Sequence, residues 1–368
     1  MMDSARFQRG RIVALFLVAG LVLWGLLAGA PSGEGASDGP ADADLRLYSA
    51  ISDRMASGTG YYAAVAAEQA RLGYPTRPVV TVREPTLAWL IDGVGGPAVT
   101  RWLLVALATV AAAVTMIRLR AMTSSLTVWG CASVLAALSF ALMASADLIW
   151  VHEIWAGMLI ALSVGLRTRS SWGTSVAIGL AAALVRELAA PYLVVMLVLA
   201  WRDRRRREAA GWAIALTVWA AFYALHALRV ADLVPASAQS SPGWIDMDGW
   251  PLFVEMIHSR SLLVLLPFWV SAVLVPLALL GWWSCRSGYA LRVAWLLSAY
   301  ALAFSVVGRA DTTYWGFLVA ALVLPGLAMV PKVPGRLAQN RDPGRRSVGE
   351  LTEFRASSRS GPRQDSPN

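Results

Sequence analysis

The chain has 368 residues, of which 57% are hydrophobic and 15% charged, and its mean hydropathy is +0.56. This composition excludes an ordinary soluble globular domain and predicts a polytopic membrane protein. The formal net charge is +9, but the arginines lie in short clusters between apolar runs, as the positive-inside rule requires. They therefore indicate topology, and no nucleic-acid partner is expected. Cys131 and Cys285 fall in different apolar segments, so neither a disulfide framework nor a metal cluster follows.

The first apolar run, 12–30, follows three arginines and is long enough to span a membrane. It lacks a clear small-residue cleavage site, so we interpret residues 1–30 as an uncleaved helix whose N-terminus is cytoplasmic. Residues 31–98 then predict a long extracytoplasmic loop with structure of its own. Two short helices are expected within this loop, at 45–56 and 61–72.

Residues 99–330 are predicted to form the main transmembrane bundle. Its nine expected spans are 99–117, 124–146, 150–166, 172–185, 188–201, 209–229, 261–283, 290–307 and 314–330, with an outer loop at 231–260. With the first helix they give an all-α fold of about ten spans and cytoplasmic termini. The Pro-, Arg- and Ser-rich segment 331–368 is typical of a disordered basic cytoplasmic tail.

Two of these segments, 172–185 and 188–201, are shorter than the ~20 residues that a comfortable span needs. Arginines precede and follow the two segments, so the chain must go out and come back as a hairpin with Arg186 and Glu187 at its tip. A charge near the bilayer centre costs roughly 2.5 to more than 10 kcal/mol. The pair therefore lies at the wet edge of the membrane, or it is functional.

This topology sorts the ionisable residues by side. The predicted outer face receives Asp42, Asp44, Arg83, Glu84, Asp147, His152, Glu153, Arg186, Glu187, Asp246, Asp248, Glu255, His258, Arg260, Arg309 and Asp311. The cytoplasmic loops contain mostly arginine and no predicted site. A channel or transporter should carry polar groups or broken helices near the midplane, and the sequence shows little of either. Carboxylates supply acid and base groups, and arginine clamps phosphate, so a lipid-phosphate substrate is expected at the outer boundary.

Several stretches resemble one known family in their order along the chain. They are "DADLRLYSAISDRMASGTGYYAAV" and "GYPTRPVVTVREPTLAWLI" in the first loop, and later "HEIWAGMLIALSVGL", "LVRELAAPYL" and "GRADTTYWGFLVAAL". In these features the chain resembles the GT-C superfamily of polytopic glycosyltransferases, in its bacterial mannosyltransferase-like branch. The resemblance covers most of the chain apart from the tail.

The resemblance implies sugar transfer from a polyprenyl-phosphate donor, with a catalytic acidic residue on the first outer loop. Asp44 in "DLRLY" matches that residue best, and Asp42 is the alternative. Acting as a general base, it would give inversion at the sugar. Arg186 is the leading phosphate ligand, and Glu187 would orient it or the acceptor. Further substrate-binding candidates are Arg83, His152, Glu153, Arg260 and Arg309.

The residues leave simpler interpretations open. Arg186 and Glu187 could form only a wet turn, and Asp44 could only cap a helix that begins near Leu45. His152 and Glu153 are adjacent and do not share a helical face, so no metal site is assigned to them, although a requirement for a divalent cation stays open. "WIDMDGW", with two of the acids, is interpreted as a turn rather than a cation loop.

The location expected from these features is a bacterial plasma membrane, with a glycan, lipid or protein as acceptor. Two other functions compete with glycosyl transfer. A transporter or flippase of lipid-linked intermediates would use the same arginines without a base. A membrane assembly protein would need no chemistry at all.

Overall fold

The structure is a computed structural model that describes residues 2–31, 40–145, 148–233, 240–245 and 247–330. The side chains of 2–13, 15 and 40–43 are not among the described groups. Met1–Val330 forms one compact unit. The predicted tail at 331–368 lies outside the described residues.

The described chain is helical throughout, and within it only two isolated bridges have strand-like pairing. The α-helices are α1 Met2–Ala28, α2 Pro40–Ala56, α3 Tyr61–Leu72, α4 Thr86–Gly93, α5 Pro97–Arg120, α6 Leu126–Met143, α7 His152–Leu166, α8 Gly173–Val185, α9 Ala190–Arg202, α10 Arg206–Leu233, α11 Trp250–Ser259, α12 Phe268–Ser284, α13 Gly288–Phe304 and α14 Ala320–Val323. Short 3₁₀ segments lie at Val79–Thr81, Glu187–Ala189, Leu262–Leu265, Ala310–Leu318 and Leu324–Met329. The all-α prediction is confirmed.

Several helices could span a membrane. By length and composition α5, α6 and α10 qualify singly, and a bent pair, Ala310–Leu318 with Ala320–Met329, would qualify as one broken span. Five shorter apolar helices accompany them at Phe16–Ala28, His152–Leu166, Gly173–Val185, Phe268–Ser284 and Gly288–Phe304. The count of about ten spans and the sides of the termini stay predictions.

The structure departs from several of the predicted elements. The first loop contains a further helix, α4, that was not expected, and the expected span 261–283 is divided between Leu262–Leu265 and α12. The expected loop 231–260 contains α11, whose apolar face is buried in the main core. The expected single span 314–330 is instead broken, with a bend of 59° between its halves. Close backbone packing accompanies the last two departures, since an added Cβ at Gly316 would lie 2.3 Å from the carbonyl oxygen of Met256 on α11. Only glycine permits this approach of the two segments.

The first loop folds as a small subdomain against the bundle. The predicted helices at 45–56 and 61–72 are present, as α2 and α3. Their apolar residues form a separate core that includes Val230 of α10. His226 on α10 fixes the contact, because its Nε2 lies 3.1 Å from the Val82 carbonyl oxygen and its Nδ1 lies 3.1 Å from the Tyr62 hydroxyl. The subdomain is thereby held over one end of the bundle.

Candidate active site

A cavity of about 270 Å³ lies between the first-loop subdomain and the bundle. Its walls come from α2, from the segment 74–83, from the hairpin tip between α8 and α9, and from 309–315. The polar side chains that line it include Asp44, Arg83, Arg186, Arg309, Asp311, Tyr48, Tyr74 and Tyr314. Four of these are candidates from the sequence, and they come together from positions far apart in the chain.

Asp44 is one of two described carboxylates that line this cavity, and the other, Asp311, accepts hydrogen bonds from Arg309. The interpretation of Asp44 as a helix cap is wrong, because α2 begins at Pro40 and Asp44 lies inside the helix. Burial raises the pKa of Asp44 above its ordinary value, while Arg83, a hydrogen bond from Tyr74 and Arg186 oppose the rise. An aspartate with a raised pKa is a stronger proton acceptor than an exposed one.

Arg83 lies beside the cavity with part of its hydrogen-bonding capacity unused. Its Nη2 donates to the Tyr314 hydroxyl at 2.9 Å and its Nη1 to the Val80 carbonyl at 3.2 Å. Its Nε is buried and has no partner among the described residues. A buried donor without a partner is costly, so an anion in the cavity would relieve that cost.

Arg186 stands at the break between α8 and α9. It ends α8 in an extended conformation, with φ −152°, and a 3₁₀ turn follows before α9 begins. The predicted hairpin is therefore present, but the wet-turn interpretation is wrong, because Arg186 is only 1% exposed. Tyr300 stabilises the tip by donating its hydroxyl hydrogen to the Leu188 carbonyl oxygen at 2.8 Å.

Two carboxylates hold the Arg186 guanidinium. Its Nε donates to Glu153 Oε1 at 2.6 Å, and its Nη1 pairs with Glu187. Its Nη2 makes no hydrogen bond to a described residue and is left for a ligand. Glu153 and Glu187 do not line the cavity, so they position the guanidinium rather than face the ligand.

The remaining candidates divide into those at the rim and those elsewhere. Arg309 lies at the rim, where its Nε and Nη2 donate to the two Asp311 oxygens at 3.0 and 2.7 Å. Arg260 is not brought to this cavity, since it donates to Thr313 Oγ1 at 3.1 Å and lies over the Phe317 ring. The chemistry of the site therefore does not include Arg260.

His152 also lies behind the cavity wall rather than in it. Its ring packs edge-on against Tyr48, with 5.2 Å between the ring centres, and its Nδ1 is buried without a described partner. No group of three or more His, Cys, Asp or Glu side chains able to hold a metal ion occurs in the described part of the chain. The Asp42 side chain, Asp147 and Asp246 lie outside the described groups.

Sequence reasoning missed the tyrosines of this cavity and the importance of Glu84. Tyr74 and Tyr314 contact Asp44 and Arg83, respectively. Glu84, beside Arg83 in the chain, is 1% exposed, and its two carboxylate oxygens make no hydrogen bond of standard geometry. Burial raises the pKa of Glu84 to about 9, and the neighbouring charge of Glu187 adds to the rise. The "GYPT" and "TTYW" stretches offered the only signal for the tyrosines, as aromatic residues next to predicted helix ends.

Comparisons with family models, with curated proteins and with solved structures found no match for the chain.

Proposed function

We propose that the chain is an integral membrane glycosyltransferase that moves a sugar from a polyprenyl-phosphate donor to an acceptor hydroxyl at the extracytoplasmic face. One observation carries this proposal. The carboxylate of Asp44 borders the same cavity as the guanidinium groups of Arg83, Arg186 and Arg309. A proton acceptor and ligands for phosphate therefore line one cavity, which is the combination that such a transfer requires.

The reaction follows from these groups. Asp44 takes the proton of the acceptor hydroxyl while that oxygen attacks the anomeric carbon of the sugar. The bond from the anomeric carbon to the phosphate oxygen breaks, and its electron pair stays on the departing phosphate. Attack from the face opposite the leaving group inverts the anomeric centre. The phosphate is a weak base, so the site needs no separate acid, and the charge that grows on it is stabilised by guanidinium groups.

The arginines have different parts in this scheme. Arg83 and Arg186 are the phosphate ligands, because each keeps donor capacity unused by described residues. Arg309 is held by Asp311 at the rim and orients the entering head group. The cavity volume of about 270 Å³ lies just below the ~300–1,000 Å³ of most ligand cavities, so the space holds a sugar-phosphate head group at most, with the lipid chain outside.

A second candidate function is transport of a lipid-linked phosphate intermediate, and one observation favours it. The wall of the cavity at 309–315 belongs to a broken helix pair bent by 59°. Broken helices line the substrate sites of many secondary transporters. No local pattern in the sequence indicates this break. Transport would use the arginines in the same way, but it would not use Asp44 as a base.

Asp44→Asn separates the two functions. The protein is reconstituted in liposomes with radiolabelled polyprenyl-phosphate hexoses, and both sugar transfer and lipid translocation are measured. Loss of a general base lowers the transfer rate by ~10²–10⁴, while donor binding and translocation should persist. Asp92→Asn is the matched control, because this exposed aspartate on α4 lines neither the cavity nor any other polar pocket described for the chain. Unchanged transfer by Asp44→Asn would contradict the base assignment, and an inactive Asp42→Asn would move the role to Asp42.

A further inference from the structure

A second polar cavity, of about 760 Å³, lies at the other end of α7. Glu153 near the start of α7 supports the first cavity, whereas Arg167, just beyond its end, lines the second. Fourteen helical steps would separate them by about 21 Å. The second space is bordered by Asp203, Gly288, Tyr289 and five arginines, which are Arg118, Arg167, Arg169, Arg205 and Arg292. We call it the arginine cavity.

The arginine cavity has an excess of positive charge. Glu208 accepts hydrogen bonds from Arg167 at 2.8 and 2.7 Å and also pairs with Arg205. Asp203 Oδ2 lies 3.6 Å from Arg292 Nη2. These two carboxylates pair with three of the five lining arginines, and Arg118 and Arg169 have no described carboxylate partner. Five positive charges against two negative ones leave an excess of three. Like charges that line one cavity repel, so this arrangement favours the entry of an anion.

Arg292 places part of this positive charge in the interior of the protein. It is 6% exposed, and its Nε is buried without a described partner. Its Nη1 donates to the Gly288 carbonyl oxygen at 2.6 Å. Burying a guanidinium group is costly unless its donors are used. Arg206 and Arg207, in the same region, are exposed by contrast.

We infer that the arginine cavity binds a phosphate-bearing anion, and that this site is separate from the proposed site of glycosyl transfer. The planar guanidinium fork matches phosphate oxygens in pairs, and several forks around one space favour a diphosphate or a phosphodiester over a single carboxylate. The volume lies within the usual range for ligand sites, which is ~300–1,000 Å³. Such a ligand comes from one of two sources, an anionic lipid head group or a soluble phosphate compound.

The test uses the full-length protein and two probes. Inorganic diphosphate is titrated into detergent-solubilised protein, and phosphatidylglycerol is compared with phosphatidylcholine in nanodiscs, with thermal unfolding as the readout. Arg169→Gln removes the charge of an exposed side chain that lines the arginine cavity. The variant keeps the backbone carbonyl of residue 169, which accepts a hydrogen bond from Arg205 Nη2. Arg207→Gln, an exposed position outside the lining, is the matched control. Arg292→Lys keeps the charge but loses the fork.

The outcomes are distinct. If diphosphate stabilises the wild type and Arg169→Gln weakens its binding about tenfold while Arg207→Gln does not, the source is soluble. If only phosphatidylglycerol gives this pattern, the source is lipid. The inference is overturned if neither probe stabilises the wild type more than it stabilises the Arg169→Gln variant. If Arg292→Lys fails to fold, the comparison of Arg169→Gln with the wild type still tests the inference. Arg83→Gln shows which cavity binds the probe: stabilisation by the probe should be unchanged in this variant if binding occurs at the arginine cavity.

Discussion

The two polar cavities use the same residue types in different ways. In the first, a half-buried carboxylate faces the cavity together with arginines, and other carboxylates hold one of those arginines from behind. In the second, guanidinium groups outnumber the carboxylates that pair with them, and the single lining carboxylate, Asp203, is tied to arginines. The first arrangement fits the proposed proton transfer and leaving phosphate, whereas the second fits only the proposed binding of an anion. Arginine content alone therefore would not distinguish the two proposed sites.

The largest expected effect concerns Arg186. Arg186→Met should nearly abolish sugar transfer, and Arg186→Lys should weaken donor use, because lysine keeps the charge but loses the planar fork. The single Met variant also leaves Glu153 and Glu187 unpaired, and breaking a buried ion pair costs about 3–5 kcal/mol of stability. Transfer rates and thermal unfolding, measured together, report the two effects.

A triple variant separates the two roles of Arg186. Arg186→Met with Glu153→Gln and Glu187→Gln removes the charges as a set, so it should recover much of the lost stability and remain inactive. A stable and active triple variant would show that the ion pairs only hold the hairpin tip. The first cavity would then contain no phosphate ligand at this position.

Neutralising a buried carboxylate should change stability in opposite directions at the two cavities, with Glu84 near the first and Glu208 near the second. Glu84 has a pKa raised by burial from its ordinary 4.5 to about 9. The folded state therefore binds more protons than the unfolded state between these values, and stability falls as the pH rises through this window, by up to about 1.4 kcal/mol per pH unit. Glu84→Gln should flatten this slope and stabilise the protein at neutral pH. Thermal unfolding between pH 5 and 9 measures it.

Glu208→Gln is the counterpart at the arginine cavity and should destabilise the protein. Glu208 accepts from Arg167 and pairs with Arg205, so its neutral replacement leaves two guanidinium groups without a charge partner. Unfolding temperatures at neutral pH should move in opposite directions for the two variants. A shift in the same direction would mean that the charge of nearby Arg186 outweighs the burial of Glu84.

The part of the fold that the sequence predicts best is the part dictated by local patterns. The expected hairpin segments 172–185 and 188–201 agree closely with α8 and α9, because apolar run length and flanking arginines set their limits. The burial of α11 and the break within 310–329 depend on close packing between distant segments, which no local pattern encodes. The sequence also places arginines at loops without indicating which of them line a cavity.

The candidate site shows the same difference between what local sequence patterns indicate and what contacts between distant segments determine. Asp44, Arg83 and Arg186 were predictable one at a time, since each is a charged residue beside an apolar segment. No local pattern shows that their side chains line one cavity. The contact of Arg186 with Glu153, 33 positions away in the chain, also depends on the tertiary fold. Arg260 shows the reverse case, because an equally suitable residue type faces Thr313 and Phe317 instead.

Arg83→Gln should lower the efficiency of sugar transfer less than Arg186→Met does. One charge-assisted hydrogen bond contributes about 1.5–3 kcal/mol, so transfer efficiency should fall by roughly 10- to 100-fold. Binding of diphosphate at the arginine cavity should be unaffected, because Arg83 does not line it. Equal losses in both measurements would indicate general misfolding and remove the distinction between the cavities.

The smallest effect is expected from a pair of tyrosine variants, one at each cavity. The Tyr314 hydroxyl accepts a hydrogen bond from Arg83 Nη2 at 2.9 Å, so Tyr314→Phe leaves Arg83 less well oriented. A neutral hydrogen bond contributes about 0.5–1.5 kcal/mol, which corresponds to a roughly two- to tenfold rise in the KM for the donor, with kcat little changed. The Tyr289 hydroxyl, in contrast, is buried without a described hydrogen-bond partner of standard geometry. Tyr289→Phe should therefore leave transfer unchanged. A larger effect of Tyr289→Phe on transfer would couple the arginine cavity to the reaction, and the two sites would then have to be treated as one.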